Sequence, residues 1–425
     1  MILEVRIENC FAFSTQVVFS LEADMRSKKL SSNIYKNNHF NVLKTAGIYG
    51  PNNVGKSCFV KSVKAIKNVM LNEKTNIQHN IFEKNSVVCL GMTFLYNGKK
   101  YSYDFQYDVK TNEYIYEKFS EIRKDTFSNE TEMNYFLIDR NNEKYFCVNK
   151  DVERMLSLIS KNNILIYLID AQKFLELHEF KEIFINFASC IDIVTMTNIP
   201  IKKTIELLKN KRNLQNKVVD FIKNADLDLD DFFYADDSQL NLVKESHEQG
   251  KPDEDVLNLP ENIMDQIRLT SIYKGIPVPS LIFDSTGTKR IVALSSYIVE
   301  ALEYGRILII DELDSGLHFK LTRAIVAMFN NELNDKAQMI FTVHDINLMD
   351  CKKLLRKEQV WFMDKDDDGV FMYSLSDFTA QDGVRDTTNV IERYKKGLLG
   401  ALPNPTFLNT LLQIHINKDK DSVDE

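Results

Sequence analysis

The chain has little that staples, spans or repeats. Its six cysteines among 425 residues (Cys10, Cys58, Cys89, Cys147, Cys190 and Cys351) include no C-x-x-C pair. Neither a disulfide framework nor a zinc site is therefore indicated, and a reducing, cytoplasmic setting is expected. No apolar run approaches the roughly 20 residues a membrane-spanning helix requires. The opening Met1-Ile-Leu-Glu-Val-Arg-Ile-Glu-Asn-Cys10 alternates like a half-buried strand and lacks the apolar centre of a signal peptide. A soluble protein with no membrane partner is expected. No repeat of roughly 20–50 residues and no long heptad run is visible, which excludes a solenoid and an extended coiled-coil arm. The formal net charge of −8 argues against a surface that coats nucleic acid, though a local basic patch remains open.

What is present is a phosphate-binding loop, Gly50-Pro51-Asn52-Asn53-Val54-Gly55-Lys56-Ser57, with Cys58 just behind it. A glycine-rich turn between strand and helix aims backbone N–H groups and a helix N-terminus at phosphates. Lys56 would reach the β- and γ-phosphates of a nucleotide, and Ser57 would ligate Mg²⁺. The flanks fit: Leu43 to Tyr49 reads as a buried strand, and Phe59, Val63, Ile66 and Met70 recur at helical spacing.

A second signature lies far downstream, in Ile307-Leu-Ile-Ile-Asp311-Glu312. Four aliphatic residues predict a buried strand that delivers two carboxylates above the sheet, where open α/β folds bind ligands. Asp311 would hold Mg²⁺ through its water shell, and Glu312 would orient and deprotonate the attacking water. Strands often end in acidic residues simply because they reach solvent, but the pairing with Lys56 and Ser57 weakens that reading. His344 follows the strand Met339-Ile-Phe-Thr-Val343 and would stand beside the acidic pair, able to contact the γ-phosphate. Asp284-Ser285-Thr-Gly287-Thr288-Lys289-Arg290 opens a helix as a second anion-binding start, although such stretches also serve as plain caps.

Length predicts two lobes or one large insertion, the 44% hydrophobic content agrees with a globular protein, and the strand–loop–helix and acidic-strand patterns make it α/β. Residues 1–150 read as an N-terminal half with the phosphate loop and antiparallel strands over Val87–Asp108 and Tyr114–Ile122. Residues 151–280 read as a mainly helical inserted lobe, with Ile201, Ile205, Leu208, Val219 and Ile222 as apolar faces and Lys244–Asp255 as a mobile loop. Residues 281–425 return to α/β character. Asp364–Gly369 reads as a hairpin turn, not a metal site. Lys209, Lys211 and Arg212 are the candidate nucleic-acid contacts, against the commoner reading of a solvated helix face.

The order of motifs resembles the ATP-binding-cassette ATPases in their SMC-like and OLD-like branch. Gly50–Ser57 looks like that branch's phosphate loop, Asp284–Lys289 occupies the place of the cassette signature, and Asp311-Glu-Leu-Asp314-Ser315-Gly-Leu-His318 looks like the acidic motif with its D-loop. His344 matches the switch histidine. Leu355–Met363 and Tyr394–Pro403 are similar to ATPase subunits of bacterial phage-defence and abortive-infection systems of the RloA, AbiL and PARIS types. The resemblance covers the first 70 residues and most of Leu281–Pro403. It implies an ABC-type head with an inserted helical lobe and an ATP-dependent homodimer. In that dimer Ser285, Gly287, Thr288 and Lys289 of one protomer would close on the γ-phosphate held by Lys56 of the other, with Asp314 and Ser315 as the D-loop. Gln172 is the Q-loop candidate at the metal, with Gln78 as the alternative.

Neither an H-N-H pattern, a zinc-hook C-x-x-C nor an extra domain after Pro403 is visible. A separately encoded effector, a nuclease or toxin, is the expected partner. An SMC-like ATPase acting directly on DNA and a transporter subunit are the alternatives. The absence of Asn-Lys-x-Asp favours ATP over GTP.

Overall fold

The structure, a computed structural model, describes residues 1–37, 39–124, 129–169, 173–210, 212–225, 227–236, 261–385 and 388–421. Its centre is a six-stranded sheet ordered Ile191–Thr195, Ile307–Asp311, Gln338–Thr342, Thr45–Tyr49, Val360–Asp366 and Gly369–Ser374. The first five strands run parallel, and the last pairs antiparallel through the Asp366–Gly369 turn. Thr45–Tyr49, Ile307–Asp311 and Gln338–Thr342 are buried at all five positions. Parallel strands covered by helices on both faces require such near-continuous apolar runs.

Helices Lys56–Met70 and Leu175–Ser189 fill the space between this sheet and a second one. The second sheet has seven antiparallel strands, ordered Lys144–Cys147, Glu130–Asp139, Glu113–Lys124, Lys99–Asp108, Val87–Tyr96, Ile2–Glu8 and Val17–Ser20. Aromatic pairs cement the contact: Phe94 stacks on Phe187 at 3.9 Å between centroids, and Phe119 meets Phe184 edge-on at 4.9 Å. Phe59, Val63, Ile66 and Met70 are all buried there.

The opposite face of the core sheet carries helices Thr286–Tyr304 and Phe319–Asn330. Ile291, Leu294, Ile298 and Ala301 recur at helical spacing and are buried against the strands. Gly305, at φ 70°, ends the first of these helices by donating its N–H to Ala301.

Residues 151–280 hold the expected helices, with Ile205, Leu208, Val218 and Ile222 packed on Val292 and Val299. They also contribute strands. Ile191–Thr195 forms the edge of the core sheet, and Asp231–Tyr234, Leu269–Tyr273 and Ile276–Pro279 make a small antiparallel sheet. The loop expected over Lys244–Asp255 lies outside the described residues. Among the described residues no helix is long and apolar enough to cross a membrane.

Candidate active site

Gly50 and Gly55 explain why the phosphate loop follows Tyr49 as it does. A Cβ on Gly50 would collide with the Met363 carbonyl oxygen, and Gly55 sits at φ 118°, a conformation that side-chain-bearing residues rarely adopt. Asn53, at φ 63°, tolerates the left-handed region through its short polar side chain. Val54 is buried, Asn52 and Asn53 are exposed, and Pro51, Ser57 and Cys58 are half-buried. Gly55 is the N-cap of helix Lys56–Met70 and brings no side chain to its free N–H groups.

The Lys56 ammonium folds back over this loop and donates to the carbonyls of Gly50 (2.7 Å) and Pro51 (2.8 Å). Burial pushes its pKa down to about 8, against the opposing pull of Asp311, Asp314 and Glu312. The His344 pKa is also lowered, by loss of hydration and by the Lys56 charge, which outweigh Asp314, Glu312 and Asp311. Lys56, Asp311, Glu312, Asp314 and His344 are therefore electrostatic neighbours, assembled from three strand ends that lie far apart in the chain.

Thr342, which the sequence reading passed over, organises the acidic pair. Its hydroxyl donates to Asp311 Oδ1 at 2.6 Å and accepts the Glu312 N–H at 2.8 Å. Glu312 itself stands at φ 59°, in the left-handed region that a non-glycine residue seldom occupies. Asp314 Oδ2 accepts the backbone N–H groups of His344 (2.9 Å) and Asp345 (2.7 Å), so the expected D-loop holds the expected switch segment within one chain. The signal in the sequence was slight: one hydroxyl inside an apolar strand, two residues before the histidine.

Ser285 caps helix Thr286–Tyr304, accepting the Thr288 N–H at 3.1 Å and sharing a hydrogen with the Thr288 hydroxyl at 3.0 Å. Ser285 is exposed, Gly287 and Lys289 are half-buried, and Thr288 is buried with its hydroxyl committed to the cap. Arg290, which the sequence placed in this stretch without a role of its own, donates to the Ser315 carbonyl at 2.8 Å. A Cβ on Gly287 would stand 3.1 Å from the Gly316 carbonyl. Within one chain the signature segment thus borders the D-loop, whereas Lys56 has the acidic strand end and His344 as its electrostatic neighbours. Gln172 lies outside the described residues; Gln78 is exposed and accepts the Phe11 N–H on its backbone. Lys209 is tied to Asp265 at 2.6 Å and lies over the Tyr234 ring, while Lys211 is outside the described residues.

The donor set fits a nucleotide and a hard divalent cation. The loop offers backbone and one ammonium for phosphate oxygens. Among the described residues Thr342 occupies one oxygen of the buried Asp311 carboxylate and leaves the other, which together with the Ser57 hydroxyl suits a cation that keeps several waters.

Strand, phosphate loop and helix, with acids and a histidine on the two adjacent parallel strand ends, define a P-loop ATPase. The chain belongs to the family described as "AAA domain, putative AbiEii toxin, Type IV TA system", whose model matches residues 46–350. Solved structures similar to it include the SMC head domain from Thermotoga maritima, at 10% identity and TM-score 0.39, covering 88% of this chain and 98% of that one. Another is an SmcHead bound to the C-winged helix domain of ScpA, at 11% identity and TM-score 0.43, covering 90% and 99%. No curated protein matches the sequence.

Proposed function

We propose that this ATPase works as a nucleotide-sandwich homodimer that controls a separately encoded effector, a nuclease or toxin, in bacterial anti-phage defence. The observation that carries the proposal is the meeting of Lys56, Asp311, Glu312 and His344 at three neighbouring strand ends. Lys56 would leave the carbonyls of Gly50 and Pro51 for the terminal phosphates. Ser57 and Asp311 would hold Mg²⁺, which when bound neutralises phosphate charge. Glu312 would orient the attacking water and take its proton, and His344, kept neutral by its surroundings, would accept or donate one hydrogen bond at the terminal phosphate.

Ser285 and Gly287 would serve the site of a second copy, because Ser285 is exposed and Gly287 borders Gly316 of its own chain. In this reading residues 1–150 and 281–425 are the two halves of one head, which also takes helix Leu175–Ser189 and strand Ile191–Thr195 from 151–280, and the rest of 151–280 is the insertion that meets the effector. The family's description, which joins this ATPase domain to a toxin system, supports the defence role. The pairing of Lys209 with Asp265 favours an effector over direct DNA contact.

Replacing the general base tests both layers. Glu312→Gln is expected to bind ATP and slow hydrolysis by about two or more orders of magnitude. Tagged Glu312→Gln protein, expressed with its native gene neighbours and sized with ATP, should carry a soluble effector identifiable by mass spectrometry. Recovery of an ATP-bound homo-oligomer alone would overturn the effector reading in favour of a self-contained ATPase.

A further inference from the structure

Two buried polar atoms beside the site find no hydrogen-bond partner: the Tyr49 hydroxyl and Asp345 Oδ2. Protein interiors satisfy nearly every such group, because an unpartnered one keeps its full desolvation cost. Both belong to the segments that frame the nucleotide. Tyr49 closes the strand that runs into the phosphate loop, and Asp345 follows His344. Sheet register sets these segments side by side, with Thr342 opposite Ile48 and the Val343 N–H donating to the Ile48 carbonyl at 3.1 Å. The Tyr49 ring lies in the same core as Leu348 and Met349, at the end of the short turn that Asp345 caps.

Asp345 uses its two oxygens unequally. Oδ1 accepts the Asn347 N–H (2.9 Å) and side-chain amide (2.7 Å), and the backbone N–H of Asp345 is held by Asp314. Oδ2 is buried bare. Burial above all, with the Cys351 thiol and the carboxylates of Asp345 and Asp314 adding to it, keeps the Tyr49 hydroxyl protonated well beyond the usual tyrosine range. A donor without an acceptor thus sits within electrostatic reach of an acceptor without a donor.

We propose that Tyr49 and Asp345 are positioning residues that form a state-dependent link. When nucleotide closes the site, the turn at 344–348 shifts so that the Tyr49 hydroxyl donates to Asp345 Oδ2, fixing the backbone that carries His344. The inference rests on the reading of His344 given above. It makes the strand entering the phosphate loop and the strand ending in the switch histidine respond together to the same phosphate.

Tyr49→Phe removes the one oxygen concerned. In the nucleotide-free chain its Tm should stay level or rise. The rise in Tm produced by ATP and Mg²⁺ in a Glu312→Gln background should shrink, and in the otherwise native chain kcat should fall about tenfold with little change in KM. Combined with Asp345→Asn, the effects should be additive without nucleotide and coupled with it. A lower Tm in the nucleotide-free Tyr49→Phe chain would show that the hydroxyl is already held, and an undiminished nucleotide-induced rise would show that no link forms; either overturns the inference. His344→Ala separates the two readings. Normal hydrolysis by that variant removes the role of the histidine, while the Tm measurements still report on the link.

Discussion

The acidic edge of the core sheet and the start of the signature helix treat their polar groups in opposite ways. At the acidic edge the functional groups interlock: Thr342 bridges Asp311 and Glu312, and Asp314 holds the amides of His344 and Asp345. At the signature, Ser285 caps its own helix and stays exposed, next to Ile282 and Phe283, which are 68% and 56% exposed. Its rigidity comes from behind, where buried Asp284 accepts hydroxyl hydrogens from Ser271 (2.7 Å), Tyr273 (2.8 Å) and Ser280 (2.5 Å). One region holds its polar groups fixed to one another within the chain. The other is a braced face turned outward, with apolar surface of the kind that marks interaction sites. Arg290 joins them through the Ser315 carbonyl.

Breaking the acidic edge should have the largest effect. Thr342→Val leaves Asp311 Oδ1 and the Glu312 N–H unsatisfied, which costs about 1–3 kcal/mol of stability and should lower the hydrolysis rate about 100-fold, the scale of losing one preorganised catalytic donor. ATP affinity should change far less, as measured by titration of the same protein. Arg290→Met, which keeps the stem and drops the charge, should cut hydrolysis about tenfold while leaving ATP binding to the separate chain unchanged. Equal loss of binding would show that the two regions are not divided as described.

The smallest effect sharpens the comparison by pH. Unliganded Lys56 loses its proton from about pH 8 upward, and bound phosphate would raise that pKa. ATP binding then takes up a proton above pH 8, so affinity should fall as the pH rises, by at most about tenfold per unit. Lys56→Met should bind more weakly and lose this dependence, which calorimetry across buffers would detect.

Sequence reasoning reached the acidic edge more fully than the signature. Gly50–Ser57, Asp311, Glu312 and His344 carry local patterns, a glycine turn or a polar group after an aliphatic strand, that show without knowing what lies opposite. Helix Thr286–Tyr304 was legible for the same reason, from its spacing of apolar residues. Ile191–Thr195 was not separated from its helical surroundings. Its Asp192 is explained only by Arg306 and Lys203, which lie elsewhere in the chain, and a strand's preference depends on such neighbours. The roles of Thr342 and Arg290 were missed because both are bonds to residues about 25–30 positions away. No spacing rule announces a contact of that kind.

The order of strands in the core sheet also sets a schedule. Thr45–Tyr49 is made early, yet both of its neighbours, Gln338–Thr342 and Val360–Asp366, come from the far end of the chain. At about 5–20 residues per second of synthesis, the phosphate loop waits on the order of 15–60 s on the ribosome before its flanking strands exist. A nascent chain therefore carries a nucleotide motif without a nucleotide site, and the enzyme becomes competent only after Val360–Asp366 has been made.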